Sequence, residues 1–226
     1  MKIRSILQGQ VLRFIQASNP MGNYYMPNVV KALKERYGFV VTPTTLQEFD
    51  AQKGITFQHG RFVVKHEKGK REEIVIDKLQ VFSDGVLAES KVTTEDIDLF
   101  IDDIIKFGVD EFGLKVLGDP IKRAYLSSFE IECHDLELPP FPLGQKIEEY
   151  LRGYGQDPQP FETRSVTVYC DTSITLKPTP FAFIFARREG VPNSANIYFS
   201  SAPLTTNDHH ALLGEVEKHF LKKKKK

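Results

Sequence analysis

The side chains with which this sequence could do chemistry are two cysteines, six histidines and several carboxylates, and their spacing decides how far that chemistry goes. Cys133 precedes His134 and Asp135, and Cys170 precedes Asp171, so a thiolate with imidazole and carboxylate partners requires the two strands that carry them to be neighbours. Alternation along a strand works against the local version, because Cys133 and His134 then point to opposite faces. Both cysteines occupy apolar positions of their strands, where a free thiol behaves as a small hydrophobe. The enzymatic alternative is therefore a hydrolase or transferase assembled from distant segments around His134, Asp135 and Asp171.

Metal and phosphate chemistry have weaker roots. The cysteines form no CxxC, and the histidines at 59, 66, 134, 209, 210 and 219 form no HxH, HxxxH or HExxH. His209 and His210 are adjacent on a helix start and diverge by about 100° around its axis, so a surface role is expected for them. Asp98 and Asp102 share a helical ridge beside Glu95, Asp96 and Asp103, but one segment does not converge the six or more oxygens that a hard cation wants, and a solvated acidic face is expected. No GxxxxGK[ST], GxGxxG, GxSxG or DxDxDG occurs. The sequence leads to no catalytic residue, no metal and no cofactor.

Two stretches carry contact chemistry instead. Tyr24 and Tyr25, followed by Met26 and Pro27, stand in a loop where exposed aromatic and thioether groups anchor partners. Arg187 and Arg188 end an aromatic strand opposite a return strand carrying Tyr198 and Phe199, a grouping that suits protein interfaces and single-stranded nucleic acid. A satisfied turn and an ordinary cross-strand pair are the plain alternatives. The first functional expectation is a non-enzymatic protein-interaction or assembly protein, with a protein partner or self-association. The second is a nucleic-acid-binding module using Arg187, Arg188 and the lysine tail Lys222 to Lys226.

Composition sets the frame. Thirty basic residues balance thirty acidic ones, so the whole-molecule field offers no attraction for nucleic acid or anionic lipid. No apolar run approaches the roughly 20 residues that span a bilayer, and polar residues at Ser5, Gln8, Gln10 and Arg13 interrupt any secretory apolar core, so a cytoplasmic protein with no membrane partner is expected. Seventeen Phe and eight Tyr favour strands over a helix bundle.

The elements that must position these residues follow from periodicity. Ile3, Ile6, Leu7, Val11, Phe14 and Ile15 recur at spacings of three and four and predict a helix. A second helix runs from Asn28 to Tyr37, with Pro27 in its first turn and Gly38 as its stop, and Phe39 to Val41 reads as a short strand. Alternation from Ile55 to Val64 and from Ile74 to Val81 predicts a hairpin with its tip at Lys68 to Lys70, and Asp84 and Gly85 turn the chain into another strand. Thr93 or Thr94 caps a helix over 95–112 that Gly113 ends. Strands are expected around Phe129 to Cys133, Val166 to Cys170, Phe181 to Phe185 and Ile197 to Phe199. Leu143 to Tyr154 offers a short helix, and a last one begins near Asn207. The fold class is α+β, mostly antiparallel sheet flanked by about four helices. The organisation reads as an α+β block at 1–118, a β-rich block with a terminal helix at 119–221 and a lysine tail at 222–226, with a single continuous domain as the equal alternative.

Overall fold

The computed structural model describes residues 1–15, 26–66, 70–116, 122–133, 165–169 and 182–223. The chain is α+β, with an eight-stranded antiparallel sheet in the order β2-β3-β4-β1-β5-β8-β7-β6. Three α-helices lie among the described residues, and the expected helix from Leu143 to Tyr154 falls outside them. No helix among the described residues is long and apolar enough to cross a membrane. Chain contacts divide the molecule into two units, one of Ile6–Ser127 with Pro203–Thr206, the other of Met1–Ser5, Ser128–Ala202 and Asn207–Lys226.

The first segment is a strand, β1 (Lys2–Phe14), which corrects the helix expected from its apolar spacing. Its buried residues from Gly9 onward fall on alternate positions, Gly9, Val11, Arg13 and Ile15. Two of those four are a glycine and an arginine, so a hydropathy pattern alone hides the period of two. Gly9 is required by space, because a Cβ there would meet the Val92 carbonyl oxygen at 2.5 Å. β1 pairs antiparallel with β4 (Gly85–Ser90), from Gly9 opposite Ser90 to Phe14 opposite Gly85.

Helix α1 (Met26–Tyr37) stops at Gly38, whose φ of 64° suits a residue without a Cβ. Beyond it Phe39 to Val41 makes only an isolated bridge, Val41 to Gln58, rather than a strand. β2 (Ile55–Lys65) and β3 (Arg71–Val81) form the expected hairpin, whose tip at 67–69 lies outside the described residues. The buried positions shift parity on both strands, from Ile55 and Phe57 to Gly60 and Val64 on β2, and from Leu79 to Ile76 and Ile74 on β3. His59, with φ of 56°, sits at that shift. Gly60 carries no side chain because the Phe39 ring occupies the space a Cβ would need.

Helix α2 (Thr94–Phe112) covers this unit's core with Ile97, Phe100, Ile101 and Ile104. The Thr93 hydroxyl accepts from the Asp96 N–H at 3.2 Å, and Gly113 closes the helix in the left-handed region. Thr94 and Thr206 cap one another, each backbone N–H donating to the other's Oγ1 at 2.9 and 2.7 Å. Ser127 Oγ donates to the Leu204 carbonyl at 3.1 Å, so residues 203–206 are stitched into this unit.

In the other unit β6 (Ser165–Val168), β7 (Phe183–Arg187) and β8 (Ile197–Ala202) form an antiparallel run, with β5 (Arg123–Glu132) next to β8 in the sheet order and helix α3 (Thr206–Lys223) following β8 in the chain. The buried residues of β8 are Tyr198, Ser200, Ser201 and Ala202, while Ile197 and Phe199 are half-buried. Small residues on β8 leave room for larger rings: Phe129 stacks on His209 with centroids 4.5 Å apart, and Phe185 stacks on Tyr198 at 5.1 Å. His209 is fully buried, which corrects the surface role expected for it. Its Nε2 lies 2.9 Å from Ser200 Oγ. Ser200 spends its one proton on the Ile184 carbonyl at 3.1 Å, so His209 Nε2 is the donor of that pair.

Candidate functional site

The Ile6–Ser127 unit carries an open groove of about 850 Å³. Its volume falls within the roughly 300–1,000 Å³ usual for binding sites. One wall is β2, which contributes five consecutive residues, Arg61 to Lys65. Successive side chains of a strand point to opposite faces, so a groove lined by all five runs along the strand's edge. The facing wall is helical. The end of α1 supplies Glu35, Arg36 and Tyr37, and α2 supplies Leu99, Asp102, Asp103 and Lys106, one ridge at spacings of three and four.

The acids of the groove are already matched within the chain. Arg36 forks onto Asp103, with Nη2 2.9 Å from both carboxylate oxygens, and its guanidinium lies 4.7 Å from the Phe107 ring centroid. The Tyr37 hydroxyl, on a ring that is 3% exposed, donates to Asp103 at 2.7 Å. Burial first, and then the Asp103 carboxylate, push that hydroxyl well above the ordinary phenol range, so it holds its proton. Arg61 meets Glu73 at 3.2 Å, Lys106 meets Asp110 at 2.9 Å and Glu35 meets Lys31 at 3.9 Å.

Asp102 is held from beneath by Arg13, a residue 3% exposed that also bonds Asp98. Asp98 further accepts from the Tyr125 hydroxyl at 2.8 Å and from Arg123 at 3.4 Å. The acidic ridge of α2 is thus a set of clamps onto β1, β5 and α1, correcting the solvated face expected for it. The Arg13 Nε is buried without a hydrogen-bond partner.

This arrangement is poor for proton transfer and good for contact. Every acid lining the groove faces a cation, and the Tyr37 hydroxyl is its one side-chain hydroxyl, with no thiol or imidazole among the lining residues. No group of three or more His, Cys, Asp or Glu among the described residues is arranged to hold a metal ion. Between the paired charges Val63 and Leu99 stand exposed, each at 45%.

The residues singled out from the sequence lie elsewhere. Arg187 lies over the Tyr198 ring at 5.4 Å, Arg188 meets Glu130 at 3.7 Å and Tyr198 is fully buried, so that ring faces the interior and the arginines are engaged within the chain. Tyr24 and Tyr25, together with His134, Asp135, Cys170 and Asp171, lie outside the described residues, as do the side chains of the tail from Lys222. Cys133 is buried, and burial pushes its thiol up to about 11, which keeps it protonated and unreactive at neutral pH.

The groove left a faint trace in the sequence. Val63 between Arg61 and Lys65, and Leu99 on the polar side of α2, are apolar residues at solvent-facing positions. No protein-family model matches the chain, and the search of curated proteins gave no match.

Proposed function

We propose that this chain is a non-enzymatic protein-interaction protein whose docking face is the groove between β2 and the ridge of α2. The observation that carries this reading is the pairing of all the groove's acids inside the chain while Val63 and Leu99 remain exposed between them. Such a surface offers apolar contact area inside a polar rim, the anatomy of a recognition patch. The reading covers a protein partner and self-association alike.

Leu99→Arg tests it. Leu99 is exposed, so the variant keeps its melting temperature, and a lost complex then reports on the surface. Size-exclusion chromatography with light scattering over a concentration range, together with cross-linking and capture from the native source, should give a complex with the parent chain that Leu99→Arg loses. A strict monomer, with identical capture by parent and variant, would overturn the reading.

A further inference from the structure

We propose that the groove's occupant is an extended segment of another protein, acidic and apolar in alternation, which adds as a strand to the outer edge of β2. The proposal rests on the interaction reading above and names the partner's chemistry.

Among the described residues one bridge meets this edge. β2 ends the strand order, and the backbone of Gln58 exchanges hydrogen bonds with Val41, whose N–H donates at 3.2 Å and whose carbonyl accepts at 3.0 Å. An extended chain therefore already pairs with this edge at one residue. From Arg61 to Lys65 no described residue continues that pairing, and this is the stretch that lines the groove. A strand edge walled by a helix is the geometry in which an extended peptide gains main-chain hydrogen bonds from the edge and selectivity from side-chain contacts.

Charge selects the occupant. Lys65 stands directly opposite Arg71 in the hairpin register, a like-charge pair that disfavours itself. Neither has an acidic partner among the described residues, whereas each acid of the groove already has its cation. The residual charge at that end is positive, so a carboxylate there relieves repulsion, while an apolar side chain one position along points to the opposite face, the one on which Val64 packs in the core with residues of α2. A second copy of β2 is disfavoured, because it would bring Arg61 and Lys65 against their own kind, the device by which charged edges avoid self-pairing.

The test titrates the full chain with short capped synthetic peptides in fluorescence anisotropy. One alternates Glu and Val, one alternates Lys and Val, and one repeats the first with two central valines replaced by proline. The Glu/Val peptide is expected to bind at least about ten-fold more tightly than the Lys/Val peptide at low salt. The proline version is expected to lose about ten-fold, since it cannot complete a ladder. Hydrogen exchange should show protection of the Arg61–Lys65 amides by the Glu/Val peptide, and Lys65→Glu with Arg71→Glu should reverse the charge preference. Equal binding of the Glu/Val and Lys/Val peptides, tolerance of proline, or protection confined to other strands would overturn the proposal. If Leu99→Arg still abolishes the chain's own complex in that event, the interaction reading survives and strand addition alone falls.

Discussion

In the Ile6–Ser127 unit the interior holds an arginine, Arg13, neutralised by Asp98 and Asp102, whereas the unit of β6, β7 and β8 buries Ser128 hydrogen-bonded to Ser201 and Ser200 hydrogen-bonded to His209. Both solutions satisfy polar atoms away from water, but they fail differently. Removing one member of a buried ion pair strands a charge, while removing one member of a hydroxyl–imidazole pair strands a dipole. Among the described residues, the first unit is therefore fastened by clamps of high consequence, and these pairs of the second each matter less.

The largest effect expected is from Arg13→Ala, which leaves Asp98 and Asp102 without their shared cation and should cost about 3–5 kcal/mol, read by urea denaturation, with the lower end favoured because Asp98 keeps Arg123 and Tyr125. A cost under about 1 kcal/mol would erase the contrast between the units, since exposed pairs are worth that little. Next, Ser200→Ala removes the acceptor of the His209 Nε2–H and should cost about 1–3 kcal/mol. Should that variant prove as damaging as Arg13→Ala, the hydroxyl–imidazole pair is not the gentler of the two.

Gly113→Ala supplies a reference free of both charge and buried polar atoms. Its left-handed φ of 63° should cost about 1–2 kcal/mol with no dependence on ionic strength. Raised salt should narrow the Arg13→Ala penalty in the same titrations and leave this one unchanged.

The smallest effect is set by pH. The Cys133 thiol is held by burial at about 11 in the native chain against 9.0 for an unperturbed thiol. Between those values the unfolded chain binds fewer protons than the native one, so stability falls as pH rises through that window. Relative to Cys133→Ala, the parent chain should lose about 1 kcal/mol between pH 8 and pH 10. A flat difference would mean that the thiol is not shielded.

What the sequence made legible follows the purity of its periods. The β2–β3 hairpin and α2 were readable because apolar residues alone mark their inward faces, and Thr93 and Gly113 punctuate α2 with unambiguous chemistry. β1 reads as a helix in the sequence because its inward face includes Gly9, there for close approach to Val92, and Arg13, there for its clamp. Both choices answer to α2 and the residues leading into it, more than 70 positions away, so a local window cannot supply the reason. The burial of His209 is hidden for the same cause, since its partners Ser200 and Phe129 come from two strands. The groove was invisible because it is lined by residues of α1, β2, β3 and α2, and its exposed Val63 and Leu99 are each unremarkable alone.

The reciprocal caps of Thr94 and Thr206 also bear on synthesis. The unit that begins at Ile6 receives its last stitches at Leu204, bonded to Ser127, and at Thr206, 112 residues beyond Thr94. While the ribosome is still adding the intervening chain, the first turn of α2 lacks that cap and the strands around it lack their final fastening. Loop closure over such a separation is slow compared with local pairing, so maturation of this unit waits until the chain has been made as far as Thr206.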